Sequence, residues 1–387
     1  MHKRVFLKAV RMLLVAVLGL SIGGAAKADA KEASSADFSF VQLSDIHWGF
    51  GDPAVNPDAG GILQKTIEVI NRLNPQPDFV VCTGDLTHTT SDSVERKRRL
   101  TELRDIMGKL KVKDVRFLPG EHDAALDSGA IYREVLGEAH YTFDHKGVHF
   151  IVLDNTSNPG SSIGDAQLQW LADDLKKLGK AAPIVVFTHR PLFDLYPDWD
   201  WATRDGARAL DLLAPFKHVT VFYGHIHQVN DRTAGQTALH AARGLMYPLP
   251  APGSVPKKAP VPWDTAAPYR GLGFRKVDVK NQGKILTLTE FAATEPVPVV
   301  TITARKFEFS PSRITLKKGV PVILELTSFD VLHGFNCPGL GIRADINPGV
   351  ISRVRVTPQK PGVYAFHCDN FCGEGHGGMV GSITVTN

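Results

Sequence analysis

The chain has 387 residues, of which 43% are hydrophobic and 22% charged, and its formal charge is +4. That length exceeds one ordinary core, so two domains are expected, and the composition excludes disorder and collagen-like repetition. The basicity is concentrated at the start. Without Lys3, Arg4, Lys8, Arg11, Lys27 and Asp29 the charge falls to about zero, so no nucleic-acid surface is implied.

Residues 1–30 read as a signal peptide. A basic start precedes an apolar run from Met12 to Ala26, and Ala28-Asp29-Ala30 forms a small-x-small cleavage site. The run is shorter than the ~20 apolar residues a bilayer span needs. The expectation is therefore a periplasmic or secreted protein with no membrane span after cleavage.

From Asp37 to Phe291 short β-rich runs ("FSFVQL", "DFVVC", "VRFLP", "VHFIVLD", "PIVVFT", "VTVFYG") alternate with helical candidates. Apolar residues three and four apart predict helices over Ile62–Leu73 and Asp165–Leu178. "ERKRRL" reads as an exposed helix face, and Tyr247–Pro268 as a proline-rich surface excursion. "GFRKVDV" and "KILTLTEF" close this α/β region of mixed sheets flanked by helices.

Ligand-type residues follow one apolar run after another. They are Asp45 and His47 in "SDIHWG", Asp85 in "TGDLTH", and Glu121, His122 and Asp123 in "PGEHD". His189 follows in "THRP", then His225 and His227 in "GHIHQ". Carboxyl ends of strands are where open α/β sheets build sites. Aspartate and histidine without thiolate suit divalent Mn, Fe or Zn. A pair of such ions about 3.5–4 Å apart can clamp a phosphoryl group and generate the attacking hydroxide. One histidine after one strand is usually a core or capping residue; five such stations in series are not. His88 reads as a loop histidine, and the aromatic cluster Tyr196–Asp205 as a loop with packed tryptophans.

The series D-x-H, GD, G-x-H-D, H, G-H-x-H resembles the calcineurin-like metallophosphoesterase superfamily. The tract "VLDNTSNPGSSIGDAQLQWLADDL" is similar to its cyclic-nucleotide phosphodiesterase-like branch. The resemblance implies a metallophosphoesterase domain over residues 37–291. Asp45, His47 and His227 would hold one ion, His189 and His225 the other, and Asp85 would bridge. His122 would stand beside the phosphate as leaving-group acid or transition-state donor. Asp123 would support the ligands from behind. Glu121 departs from the pattern, which has asparagine there. It still offers an oxygen ligand but adds a negative charge that weakens the pull on an anionic substrate.

After a linker at residues 292–298 the pattern becomes all-β, with strands separated by Pro/Gly turns. "FHCDNFCGEGHGGM" places Cys368, Cys372, His376 and Met379 close together, and "DVLHGF" supplies His333 at the end of an apolar strand. Thiolate, thioether and imidazole together select copper. A one-copper site would leave a thiolate spare, whereas two coppers bridged by both sulfurs use the whole set. A Cys-x3-Cys disulfide is the competing reading in an oxidising compartment.

Phe329–Met379 closely resembles the binuclear copper A domain shared by cytochrome c oxidase subunit II and nitrous oxide reductase. This implies a cupredoxin Greek-key sandwich over residues 299–387. His333 and His376 would each hold one copper, Cys368 and Cys372 would bridge, and Met379 and the Asn370 carbonyl would be axial. Cys337 has no place in that set and reads as a small apolar filler. The membrane helices of the oxidase subunit and the propeller of the reductase are both missing.

The expectation is an exported phosphoesterase cleaving a phosphomono- or phosphodiester by attack of a metal-bridging hydroxide. It would carry an appended two-copper domain facing a redox partner such as a cytochrome c. Hydrolysis needs no electrons, so the copper domain would sense redox state, keep an iron reduced, dock a respiratory partner or switch the hydrolase. The rival expectation is an electron-transfer or copper-binding protein whose front half is a non-catalytic scaffold.

Overall fold

Phe38–Leu43 is buried along its whole length, and its alternation sends successive side chains into two different cores. Phe38 and Phe40 point one way, with Phe79, Phe150, Phe187 and Phe222; Val41 and Leu43 point the other, with Ile67 and Leu100. The structure, a computed structural model, describes residues 37–294 and 298–387. The expected signal peptide lies outside the described residues, as does the middle of the expected linker.

Two sheets build the first region. One runs, edge to edge, through Ile285–Ala292, Gly273–Lys280, Phe38–Leu43, Phe79–Thr83 and Val115–Leu118. The other runs through Tyr141–His145, Val148–Val152, Pro183–Phe187, His218–Tyr223, Thr237–Ala241 and Asn230–Ala234. Phe38–Leu43, Phe79–Thr83 and Val115–Leu118 are parallel, as are Val148–Val152, Pro183–Phe187, His218–Tyr223 and Thr237–Ala241.

The sheets meet at a phenylalanine core. Phe40 stacks on Phe79 at 4.9 Å and meets Phe150, Phe187 and Phe222 edge-on. Such pairs add about 0.5–1.5 kcal/mol each beyond buried area. Ile62–Arg72 and Ser93–Met107 cover the outer face of the first sheet, Asp165–Leu175 and Gly206–Leu213 that of the second.

Three details depart from the sequence reading. Arg96 of "ERKRRL" is buried and paired with Asp127 at 3.2 Å, so that helix face is not wholly exposed. The excursion at Tyr247–Pro268 starts from a buried Tyr247. Strands Tyr141–His145, Asn230–Ala234 and Thr237–Ala241 were not foreseen; their polar residues sit on or next to a sheet edge.

The second region packs a four-stranded sheet (Glu308–Ser310, Val299–Arg305, Val322–Ser328, Ser352–Val356) on a five-stranded one (Arg313–Lys317, Val380–Thr386, Gly362–His367, His333–Cys337, Ile342–Ile346). Phe309, Phe335 and Phe366 form the centre of its core, and Cys337 is buried among them as filler. His333 opens its strand rather than closing an apolar one. His367 is exposed.

Candidate metal centres

Asp45, Asp85, His189 and His225 each stand two residues beyond the end of a strand in the paired sheets. Five residues of the front site have left-handed backbone: Asp45, His47, Asp85, His225 and His227, with φ from 45° to 66°. Outside glycine that conformation costs on the order of 1–3 kcal/mol each and collects at functional sites. Gly84 (φ 89°) is required for closeness as well: a Cβ there would lie 2.3 Å from His189 Nδ1.

Two donor groups form around one shared carboxylate. Asp45, His47, Asp85 and His227 converge in one, and Asp85, Glu121, His189 and His225 in the other; within each group the ligand atoms lie within 4.8 Å of one another. Asp85 Oδ2 is 3.6 Å from His47 Nε2 and 3.4 Å from His189 Nε2. Glu121 spans the second group, with Oε2 2.9 Å from His189 Nε2 and Oε1 2.8 Å from His225 Nδ1.

Backbone groups orient these ligands from behind. His189 Nδ1 contacts the Thr83 carbonyl at 2.8 Å and His227 Nδ1 that of Tyr247 at 2.6 Å, so each presents Nε2 to the site. The His225 amide donates to Asp45 and the His122 amide to Asp85 Oδ1 at 3.0 Å. Asp123 accepts from the amides of Leu86, Thr87 and Gly120, and so fixes the loop that carries Asp85.

Burial, helped by His122, His227 and His88, pushes His47 well below its ordinary pKa despite Asp85, leaving the neutral ring that a metal needs. Burial and Glu121 push Asp85 upward, but His122 and His189 hold it below the carboxylate range. Glu121 is likewise held low, against burial, by His225 and His189. His225 Nε2 is buried without a partner, and His189 Nε2, His225 Nδ1 and Glu121 Oε2 are buried with only other members of the donor set beside them. Unsatisfied donor atoms of this kind, converging as carboxylates and imidazoles, fit two hard-to-borderline divalent ions.

His122 lies at the rim. Its Nδ1 accepts from the Thr89 amide at 3.2 Å, so the proton of the neutral ring is on Nε2, 3.8 Å from Asp85 Oδ2. His88 stacks on His122 at 5.2 Å and is lowered to about 4 by burial, His122 and Arg99. Sequence reasoning left His88 in a loop and missed two further residues. Tyr247 stacks on His227 at 4.5 Å with its hydroxyl 3.2 Å from His47 Nε2, and Arg190 sits beside Glu121. Trp199 and Trp201 pack edge-to-face as expected.

In the second region His333, Cys368 and Cys372 converge. Cys368 Sγ lies 3.9 Å from His333 Nδ1 and 3.2 Å from the Asn370 carbonyl, and Cys372 Sγ lies 3.7 Å from His376 Nδ1. The Gly334 amide donates to Cys368 Sγ at 3.4 Å. Met379 is buried in the adjoining core. All four cysteines are free thiols. Asp330, not foreseen, accepts from His333 Nε2 at 2.9 Å and leaves Nδ1 facing the sulfurs. Sulfur and imidazole donors fit copper.

Residues 38–229 match the calcineurin-like phosphoesterase family and residues 283–384 the cupredoxin-like domain. The chain joins a calcineurin-like phosphoesterase to a cupredoxin-like domain.

The chain is 38% identical over 86 residues to a cytochrome c oxidase subunit 2 of Thermus thermophilus, covering 22% of this chain and 64% of that protein. It is 28% identical over 270 residues to the 3',5'-cyclic adenosine monophosphate phosphodiesterase CpdA of Pseudomonas aeruginosa, covering 66% of this chain and 90% of that one. With the serine/threonine-protein phosphatase CPPED1 of Danio rerio it shares 27% over 231 residues, 52% of this chain and 73% of the other. The chain thus spans less than two thirds of the oxidase subunit it matches.

Proposed function

We propose that the protein is an exported hydrolase of a phosphomono- or phosphodiester, acting at a dimetal site, with a binuclear copper domain appended. The observation that carries the reading is the pair of four-donor groups sharing Asp85. When bound, two divalent ions (Mn, Fe or Zn) supply an activated water and an electrophilic clamp for phosphoryl oxygens. The chain's own residues do the rest. Asp45, His47 and His227 would hold one ion, Glu121, His189 and His225 the other, and Asp85 would serve both. His122, with its proton on Nε2 because the Thr89 amide occupies Nδ1, would donate a hydrogen bond from Nε2 to the phosphoryl or leaving oxygen as charge builds there. Tyr247 and His88 keep the rings of His227 and His122 in place by stacking.

In the copper domain, Cys368, Cys372, His333 and His376 would hold the copper, with Met379 and the Asn370 carbonyl as further donors. Its chemistry is one-electron transfer with a redox partner such as a cytochrome c. The basic, apolar start of the chain supports export to the periplasm or beyond. No helix among the described residues is long and apolar enough to cross a membrane.

The test is turnover of bis-p-nitrophenyl phosphate and p-nitrophenyl phosphate by protein loaded with Mn or Fe and with copper. Loss of turnover in Asp85→Ala and His122→Ala is the expected result. Glu121 favours the second reading, a scaffold without catalysis, and an inert wild type that gains turnover on Glu121→Asn would establish it.

A further inference from the structure

Asp45, Asp85 and Glu121 place three carboxylates around the two donor groups. Two divalent ions would exceed them by a single positive charge, a weak attraction for an anionic phosphoester. One arginine stands beside the third carboxylate. Arg190 Nη1 lies 3.7 Å from Glu121 Oε1, and the arginine side chain is only 6% exposed.

The guanidinium is fixed from its other side. Nε donates to the Ala202 carbonyl at 3.1 Å and Nη2 to that of Asp200. The Arg190 carbonyl accepts from Asn155 Nδ2 at 2.9 Å and Thr188 Oγ1 at 3.1 Å, so the backbone is pinned too. The Asp200 carboxylate, 3.6 Å from Nη2, is 96% exposed and screened by water. Glu121 is therefore the carboxylate that senses this charge. A buried cation held beside metal-type ligands works against ion binding, yet it strengthens the field felt by an arriving anion.

We infer that Arg190 is the electrostatic counterweight of Glu121. Glu121 tightens the hold of the His189–His225 group on its ion and weakens the pull on substrate; Arg190 acts in the opposite sense on both. The anionic charge of the substrate is then read by this pair as well as by the ions. Arg190 is a positioning residue and touches no reacting atom. The inference rests on the dimetal reading, and Mn2+ binding measured without substrate separates its failure from failure of the hydrolase reading.

The experiment compares the full chain as wild type, Glu121→Asn, Arg190→Met and the double variant. Mn2+ affinities are taken by calorimetry, and kcat and KM for bis-p-nitrophenyl phosphate at low salt. Arg190→Met is expected to raise KM about tenfold with a smaller change in kcat, and to tighten the weaker Mn2+ site. Glu121→Asn shifts both in the opposite direction, and the double variant returns towards wild type. Arg190→Lys, which keeps the charge, stays near wild type in KM. If methionine abolishes the thermal unfolding transition, Arg190→Gln replaces it and is read in the same way. If turnover is undetectable, the Mn2+ constants decide. Shifts of both single variants in the same direction, or Mn2+ constants indifferent to Arg190, would overturn the inference.

Discussion

Replacing Gly120 by alanine isolates the role of the shared carboxylate. Gly120 has φ −101° and ψ 179°, ordinary extended backbone, so alanine is conformationally acceptable there. The difficulty is space. An added Cβ would lie 2.1 Å from Asp85 Oδ1 and 2.2 Å from the Asp85 amide nitrogen. Real Cβ contacts essentially never fall under 3.0 Å, so the separation must open by roughly 1 Å in a closely packed interior. One of the two atoms is backbone, so turning the Asp85 side chain cannot relieve both contacts, and Asp85 is already in the left-handed region. We expect a stability loss of about 1–3 kcal/mol from overpacking. A 1 Å displacement of a group shared by both donor sets should also cost on the order of 10²-fold in turnover. The control is Gly51→Ala, where nothing lies within 4 Å and stability should change by less than about 0.5 kcal/mol. Urea midpoints, bound metal per chain and kcat/KM on bis-p-nitrophenyl phosphate are the readouts. A Gly120→Ala protein with wild-type metal content and turnover would refute the reasoning.

Four further outcomes can be checked independently. His122→Ala should keep its bound ions and lose about 10²–10⁴-fold in kcat, as single-turnover kinetics and metal analysis will show. Asp330→Asn removes the anionic acceptor on His333 Nε2; copper affinity should fall about 10–100-fold by competitive chelation, with a raised reduction potential. Arg275 is buried, pairs with Glu290 and donates to the Ala241 carbonyl of the other sheet at 2.9 Å. Arg275→Met should cost about 3 kcal/mol in urea unfolding, the low end for a broken buried pair because Glu290 keeps some solvent. His88 is lowered from 6.5 to about 4, so between those values the unfolded chain binds a proton that the native state does not. The contribution of His88 to the stability of the metal-free protein should therefore fall as pH drops through that window and be flat above it. His88→Asn should make the fall shallower, and unchanged slopes in thermal melts would contradict the assignment.

Much of the front site was legible because each ligand is tied to a strand end. "SDIH", "GD" and "GHIH" sit where a buried apolar run stops, and the sheets bring the run ends to one edge. The neighbours of those ligands were not legible. Tyr247 lies in no motif and Arg190 is only the neighbour of His189 in "THRP"; both matter because the chain folds back beside His227 and Glu121. The left-handed backbone of five site residues is equally silent in sequence, since aspartate and histidine tolerate it without a signature. Asn230–Ala234 and Thr237–Ala241 were hidden because an edge hairpin needs few apolar residues. In the copper region the cysteine and histidine spacing was readable, whereas Asp330 gains its meaning from the direction of the His333 ring. Glu121 stood out in the sequence as an added charge; only the structure shows the arginine set against it.

The central claim is that one chain carries two independent metal centres, the front one built on Asp85. Metal content per chain, measured on wild type, Asp85→Ala and Cys368→Ala after loading with Mn2+ and copper, tests it most directly. The account predicts two Mn and two Cu in the wild type, loss of Mn alone in Asp85→Ala and loss of Cu alone in Cys368→Ala. Mn content unchanged by Asp85→Ala would contradict it.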